Sequence, residues 1–217
     1  MTTDLDSLLK NTPFLWKGNC LSPNSVPGVS TGFSQLDAVL VGKGWPVGAV
    51  TEFLPEAMGI GELQLLLPAI RDATQQRQRV LIINAPYQPY APALARADIN
   101  LDYLFVVSPL SQEDALWAAE KALYGGICKI LLLWPDGFGN RPVDNETIRR
   151  LQVAAQTHGS TTILYRHPSK PSAGRVNQSN WAALRLKLSR TDKGFRIDVL
   201  KAAGSYSKPS ILLDGGF

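Results

Sequence analysis

The stretch TEFLPEAMGIGELQLLLPAI, residues 51 to 70, reads as a strand, a glycine-bearing turn and an apolar helix. That order is the outline of a phosphate-binding loop, and a working loop needs Gly-Lys-[Ser/Thr] where the helix begins. Gly59, Ile60 and Gly61 stand there instead. The stretch has no lysine for the β and γ phosphates and no hydroxyl for Mg²⁺. Its outline predicts an α/β fold, while its side chains argue against nucleotide hydrolysis.

Working outward, residues 62–76 read as a helix with Leu63, Leu66, Leu67 and Ile70 on one side. Pro68 deletes the hydrogen bond to the carbonyl of Gln64, which predicts a kink. Upstream, residues 34–40 read as a short helix, GKGWPVG at 42–48 as a turn and residues 49–54 as a strand. Downstream, VLIIN at 80–84 is nearly all apolar, as a strand buried on both faces of a parallel sheet would be. A helix at 91–97 and strands at 104–107, 129–134 and 161–165 follow. Ser111 and Asp114 make a capping-box-like start to a helix that Gly125 and Gly126 close, and Asp144 caps a helix at 145–157. Strand and helix alternating in this rhythm predict a mostly parallel central sheet with helices on both faces.

The carboxy-terminal pattern differs. Residues 168–180, PSKPSAGRVNQSN, have loop composition. Beyond them Leu184, Leu186 and Leu188 alternate with Arg185, Lys187 and Ser189, the turn TDKG follows, and Phe195, Ile197 and Val199 alternate with Arg196 and Asp198. This predicts a hairpin with one buried and one mostly basic face. With a last strand at 210–213 it would form an antiparallel extension of the sheet. Residues 1–27, with Leu5, Leu8 and Leu9 at helical spacing and then Phe14, Leu15 and Trp16, read as an arm that docks on this domain or on a neighbour. Residues 28–217 read as one domain, with a mobile loop at 166–180.

At 217 residues and 45% hydrophobic composition, one globular core with an arm is expected. No apolar run approaches the roughly 18 to 20 residues of a membrane helix. The first residues carry acids where a secretory signal carries bases, so a cytoplasmic location is expected. Cys20 and Cys128 have no Cys or His neighbour at a metal-ligand spacing, so no structural zinc or other metal site is expected; no cofactor is expected either. Cys128 opens CKILLLW and reads as a small buried hydrophobe rather than a reactive thiol. Net charge is +4, unevenly spread: residues 1–140 hold 9 Lys/Arg against 13 Asp/Glu, and residues 141–217 hold 13 against 5. That asymmetry suggests an acidic partner, either nucleic acid or an acidic protein surface.

Ligands of an open parallel sheet bind beyond the carboxyl ends of its strands. The segments to read are therefore 55–61, 84–90, 134–140 and 166–180. After VLIIN, Ala85, Pro86 and Tyr87 occupy the positions of a catalytic base. After KILLL comes Trp134, with Asp136 two positions late. Together with the missing lysine, these absences predict that the chain is not an enzyme. Two readings of the turn at Gly59 to Gly61 stay open: a structural turn, or anion binding by bare amides at a helix start. Glu56 and Glu62 flank it and would repel a phosphate, which favours the structural turn.

His158 reads as a helix-end residue, and His167 has no nucleophile beside it. Asp136 reads as a turn initiator. Trp45, Trp117, Trp134 and Trp181 read as core, with Trp134 at a strand end open to partial exposure. The set Arg166, Lys170, Arg175, Arg185, Lys187, Arg190, Lys193, Arg196, Lys201 and Lys208 is a candidate surface for a partner or for weak, salt-dependent contact to a nucleic-acid backbone.

VSTGFSQLDAVLVGKGWPVGAVTEF, residues 29–53, resembles the approach to a RecA-type recombinase core, with its Ser-Thr-Gly, its Leu-Asp and its glycine-rich turn before the first core strand. LPEAMGIG falls where that superfamily has its phosphate loop. The resemblance implies a degenerate loop of Leu54, Pro55, Glu56, Gly59, Ile60 and Gly61: Pro55 and Glu56 are kept, Leu54 replaces the leading glycine, Ile60 the lysine and Gly61 the Mg²⁺ hydroxyl. ARADINLDYLFVVSP aligns in register, which places Pro86 on the catalytic carboxylate and Trp134 on the metal-associated Asp. WAALRLKLSR, FRIDVLKAAG and PSILLDG resemble the carboxy-terminal strands of that core. GWPVGAVTEFL, GIGELQLLLPA, PYAPALA and DALWAAEKAL are most similar to the ImuA family of RecA-like accessory proteins of SOS-induced mutagenic translesion synthesis. That resemblance implies no catalysis, association with the inactive polymerase homologue ImuB, and interaction with RecA. The alternative is the SulA family of cell-division inhibitors, which bind FtsZ and resemble the same 51–70 region.

Overall fold

The computed structural model describes residues 27–57, 59–135, 143–166 and 181–214. The apolar runs form the middle of its sheet. Val80–Ile83 (β4), Ile130–Leu133 (β6) and Thr161–Tyr165 (β7) are buried at every position, as strands covered on both faces must be. With Ala49–Pro55 (β3), Leu104–Val107 (β5), Leu184–Thr191 (β8), Gly194–Ala202 (β9) and Ser210–Asp214 (β10), they make one eight-stranded sheet. Its order is β10-β9-β8-β3-β7-β6-β4-β5.

β3 to β7 pair in parallel, and so does β8 with β3. Antiparallel pairing begins only between β8 and β9. The expected antiparallel extension is therefore shorter by one strand. A crossover carries the chain from β7 past β3, so β8 arrives running in the direction of the core strands.

Alternation along each strand sends side chains into two separate cores. On one face Phe53, Ile82, Leu132 and Ile163 meet Leu36 of Ser34–Val39 (α1), Ile70 of Leu67–Gln75 (α2) and Leu94 of Ala91–Arg96 (α3). On the other, Val50, Leu81, Leu131 and Leu164 meet Ala119 and Leu123 of Gln112–Tyr124 (α4) and Leu151 and Ala155 of Asn145–His158 (α5). The caps read from the sequence are made: Ser111 Oγ accepts the Asp114 N–H at 3.0 Å and Asp144 Oδ1 the Thr147 N–H at 2.7 Å.

Pro68 does not kink a continuous helix. Glu62–Leu66 is a 3-10 helix and α2 starts at Leu67, so Pro68 lies in the first α turn, where a missing N–H costs nothing. The Ser-Thr-Gly and Leu-Asp pairs have a structural use. Asp37 of α1 accepts from Ser30 Oγ at 2.7 Å and from the Thr31 N–H at 2.9 Å. Gly32, at φ 84°, lies so close to Pro68 that an added Cβ would stand 2.4 Å from the Pro68 Cβ. This loop thus packs onto the start of α2.

The predicted turn at 42–48 contains a short strand, Trp45–Pro46 (β2), paired antiparallel with Gly28–Val29 (β1). Trp45 and Trp134 are core residues, whereas Trp117 and Trp181 are not. Trp117 is 63% exposed on the outer side of α4 and Trp181 precedes β8 on the surface, near the Arg149 guanidinium. Residues 1–26, 136–142 and 167–180, with the expected arm, the greater part of the expected mobile loop and Asp136, His167, Lys170 and Arg175, lie outside the described residues.

Candidate functional site

The end of β3 sets the geometry. β3 leaves β7 after Phe53, whose carbonyl accepts the Arg166 N–H at 2.9 Å, and continues alone beside β8. The missing N–H of Pro55 faces the side that β7 has vacated, so no ladder bond is lost. Glu56 then donates its N–H to the Leu188 carbonyl at 2.9 Å and accepts the Arg190 N–H on its carboxylate at 2.9 Å. Leu54, Pro55 and Glu56 thus fasten β3 to β8.

The turn beyond takes positive φ at Gly59 (78°) and Gly61 (94°), a region open to glycine at little cost. Between them Ile60, half-buried, packs against the core. Glu62 opens the 3-10 helix with its side chain turned inward and only 5% of its surface exposed. Its Oε1 accepts the Gly59 N–H at 3.4 Å, while its Oε2 is buried without a hydrogen-bond partner. The chain's own carboxylate therefore occupies the amide of this turn. A phosphate brought to about 4 Å from that carboxylate would meet a repulsion of about 4 kcal/mol per charge pair at an effective dielectric of about 20.

Gly59, Gly61, Glu62, Ala85, Pro86 and Trp134 are among the residues that line one cleft of about 230 Å³ at the carboxyl ends of β3, β4 and β6. Trp134 is 3% exposed, buried rather than open at its strand end, and its ring stacks on Tyr165 with centroids 3.9 Å apart and planes 3° from parallel. The indole N–H of Trp134 and the hydroxyl of Tyr165 are buried without hydrogen-bond partners. Burial, and then the Glu62 carboxylate, push the Tyr165 hydroxyl well above the usual phenol range, so it stays protonated.

The basic candidates divide. Glu52, in the middle of β3 with no exposure, is held by two guanidinium groups: Arg166 Nη1 lies 2.6 Å from its Oε1, and Arg185 Nε donates to its Oε2. Arg185 is therefore interior, against the expectation that it stands on an open basic face. A carboxylate buried in a strand needs such compensation. A β-bulge beside Arg185 sets Lys201 opposite it. Burial first, then the Arg185 charge, lower the Lys201 pKa, and Glu52 partly offsets them.

Lys187, Arg190 and Arg196 remain on the surface. Arg196 Nε contacts Asp198 Oδ1 and Ser210 Oγ, each at 3.2 Å, and the Arg190 guanidinium lies 4.8 Å from the centroid of the Phe195 ring. The bond from Ser210, then that from Arg196, hold the Asp198 carboxyl below its usual range despite partial burial.

His158 is a helix-end residue: its Nε2 lies 3.1 Å from the Tyr124 carbonyl and its ring packs on Gly126. Cys128 is buried, and burial pushes its thiol up to about 11. Among the described residues no three His, Cys, Asp or Glu gather as a metal site, and no helix is long and apolar enough to cross a membrane.

Sequence reading missed Glu52 as a partner for the arginines. The available signal was an acid inside an otherwise apolar strand, which has to find a cation.

No protein-family model matches the chain. It is similar to Protein RecA of Phytoplasma mali (strain AT), 32% identical over 123 residues, 55% of this chain and 35% of that protein. It is also similar to DNA repair protein recA homolog 3, mitochondrial, of Arabidopsis thaliana, 28% identical over 120 residues, 55% of this chain and 27% of that protein. The relationship is RecA-like. The chain spans about a third of the length of these curated relatives, and its mostly parallel sheet with helices on both faces fits a RecA-like core.

Proposed function

We propose that the chain is a non-catalytic accessory protein of SOS-induced mutagenic translesion DNA synthesis, of the ImuA kind, which binds RecA and ImuB. The observation that carries this reading is the composition of the cleft. Where a nucleotide-using loop has its lysine and hydroxyl, Ile60 packs into the core, Gly61 has no side chain and Glu62 presents a buried carboxylate. We therefore read 54–61 as a degenerate phosphate loop, kept for the backbone path that joins β3 to α2.

A RecA-like fold without that chemistry still has its outer surfaces. Among the described residues β5 forms one edge of the sheet, with no strand paired to its far side and with Phe105 and Val106 about half exposed. An open apolar edge of this kind suits pairing with another protein. The RecA relatives and the similarity to ImuA-family stretches support RecA as the partner and capping or modulation of its filaments as the effect. Lys187 and Arg196 supply a weak, salt-dependent contact to the DNA backbone.

The test adds purified chain to RecA filaments at stoichiometric ratios and follows filament length and RecA ATPase, with a parallel pull-down of ImuB. Shortened filaments and ImuB capture are expected, with no hydrolysis of ATP by the chain itself. Unchanged RecA filaments together with inhibited FtsZ polymerisation would replace this reading with the SulA-type one.

A further inference from the structure

We propose that the cleft at the carboxyl ends of β3, β4 and β6 binds an alkylguanidinium or alkylammonium group, with Glu62 as the counter-ion. Glu62 is the one charged group among the described residues that line it. Its Oε2 is buried and has no hydrogen-bond partner, an acceptor without a donor. Leaving such an oxygen unpaired away from water is costly, and an N–H carrying positive charge satisfies it best. Among the described lining residues there is no cation, which a phosphate or nucleotide would need. A single carboxylate is too few ligands for a metal ion.

The walls fit the stem of such a group. Leu63, Ile82, Ala85, Pro86 and Pro89 line the cleft, and the Tyr87 ring stands beside Gly59. An apolar wall with one acid in its lining selects an amphipathic cation over an inorganic one, because the methylene stem gains burial while the head gains the carboxylate. A volume of about 230 Å³ accommodates a guanidinium on a short chain. This cation is the same chemistry whether it comes as a free amine or guanidine or on an arginine or lysine of another protein. Its binding is independent of which protein partners the chain has.

The experiment is an NMR titration of the full chain, following the indole N–H of Trp134, identified by its loss in Trp134→Phe, and the amides of Gly59 and Gly61. The probes are N-butylguanidinium and the capped tripeptide acetyl-Gly-Arg-Gly-amide. Saturable shifts are expected with at least one probe, and the tighter probe identifies the source. Glu62→Gln should weaken binding at least about tenfold, as loss of a charge-assisted bond requires. Glu62→Asp, which keeps the charge, should lose less, and thermal melts of both variants establish that they fold. Absence of any saturable shift, equal binding by Glu62→Gln, or tighter binding of Mg-ATP at the same resonances would overturn the proposal.

Discussion

Glu52 shows what one side chain can impose on a fold. Both its oxygens are taken, by Arg166 at the end of β7 and by Arg185 on β8, and it has no exposure. Removing its charge strands Arg185 in the interior. Glu52→Gln should therefore cost about 3 to 5 kcal/mol in urea denaturation, and the pair Glu52→Leu with Arg185→Met should cost less than that single change. Alternation in the sequence assigned Arg185 to the face opposite Leu184 and Leu186 correctly. It does not say whether that face is wet, because cover depends on which strands neighbour β8. Lys201, read with the basic surface, is instead partly buried opposite Arg185, beside a bulge that breaks the period of two. Cys128 was legible, as a cysteine leading an apolar strand is buried by the pattern itself. With its thiol pushed up to about 11, it should resist a thiol reagent at pH 8 in a Cys20→Ser chain until denaturant is added.

Elements were read well where a local signal starts or stops them. The N-cap of α5 is an example: Asp144 accepts the Thr147 N–H, and that bond holds its carboxyl below the usual range. Asp144→Ala should cost about 1 kcal/mol. Because the folded pKa is the lower one, this stability is full above the unfolded carboxylate value and is lost as pH falls through the folded value. The Tm difference between the two proteins should accordingly shrink on acidification below about pH 4. The 3-10 start before α2 was not legible, since hydrophobic spacing does not separate a 3-10 turn from an α turn that ends in a proline at N2. The exposure of β5 was not legible either. LFVV reads only as an apolar strand, and the sheet order is what makes it an edge. If that edge receives RecA, Phe105→Lys with Val106→Lys should abolish RecA capture in a pull-down while leaving Tm within about 2 °C, as surface changes do.

For the molecule as a whole, the alternating pattern announced the layers but not the strand order, which rests on contacts between distant residues. β3 is the case that matters most. Its partners are β7 and β8, so Glu52 is 114 residues from Arg166 and 133 from Arg185 in the chain. A growing chain therefore releases β3 long before either neighbour exists. At the roughly 5 to 20 residues per second of synthesis, that interval lasts on the order of ten seconds. Burying Glu52 without either arginine would leave an uncompensated charge in the interior. The centre of the sheet is thus electrically complete only with segments that the ribosome makes 114 and 133 residues later.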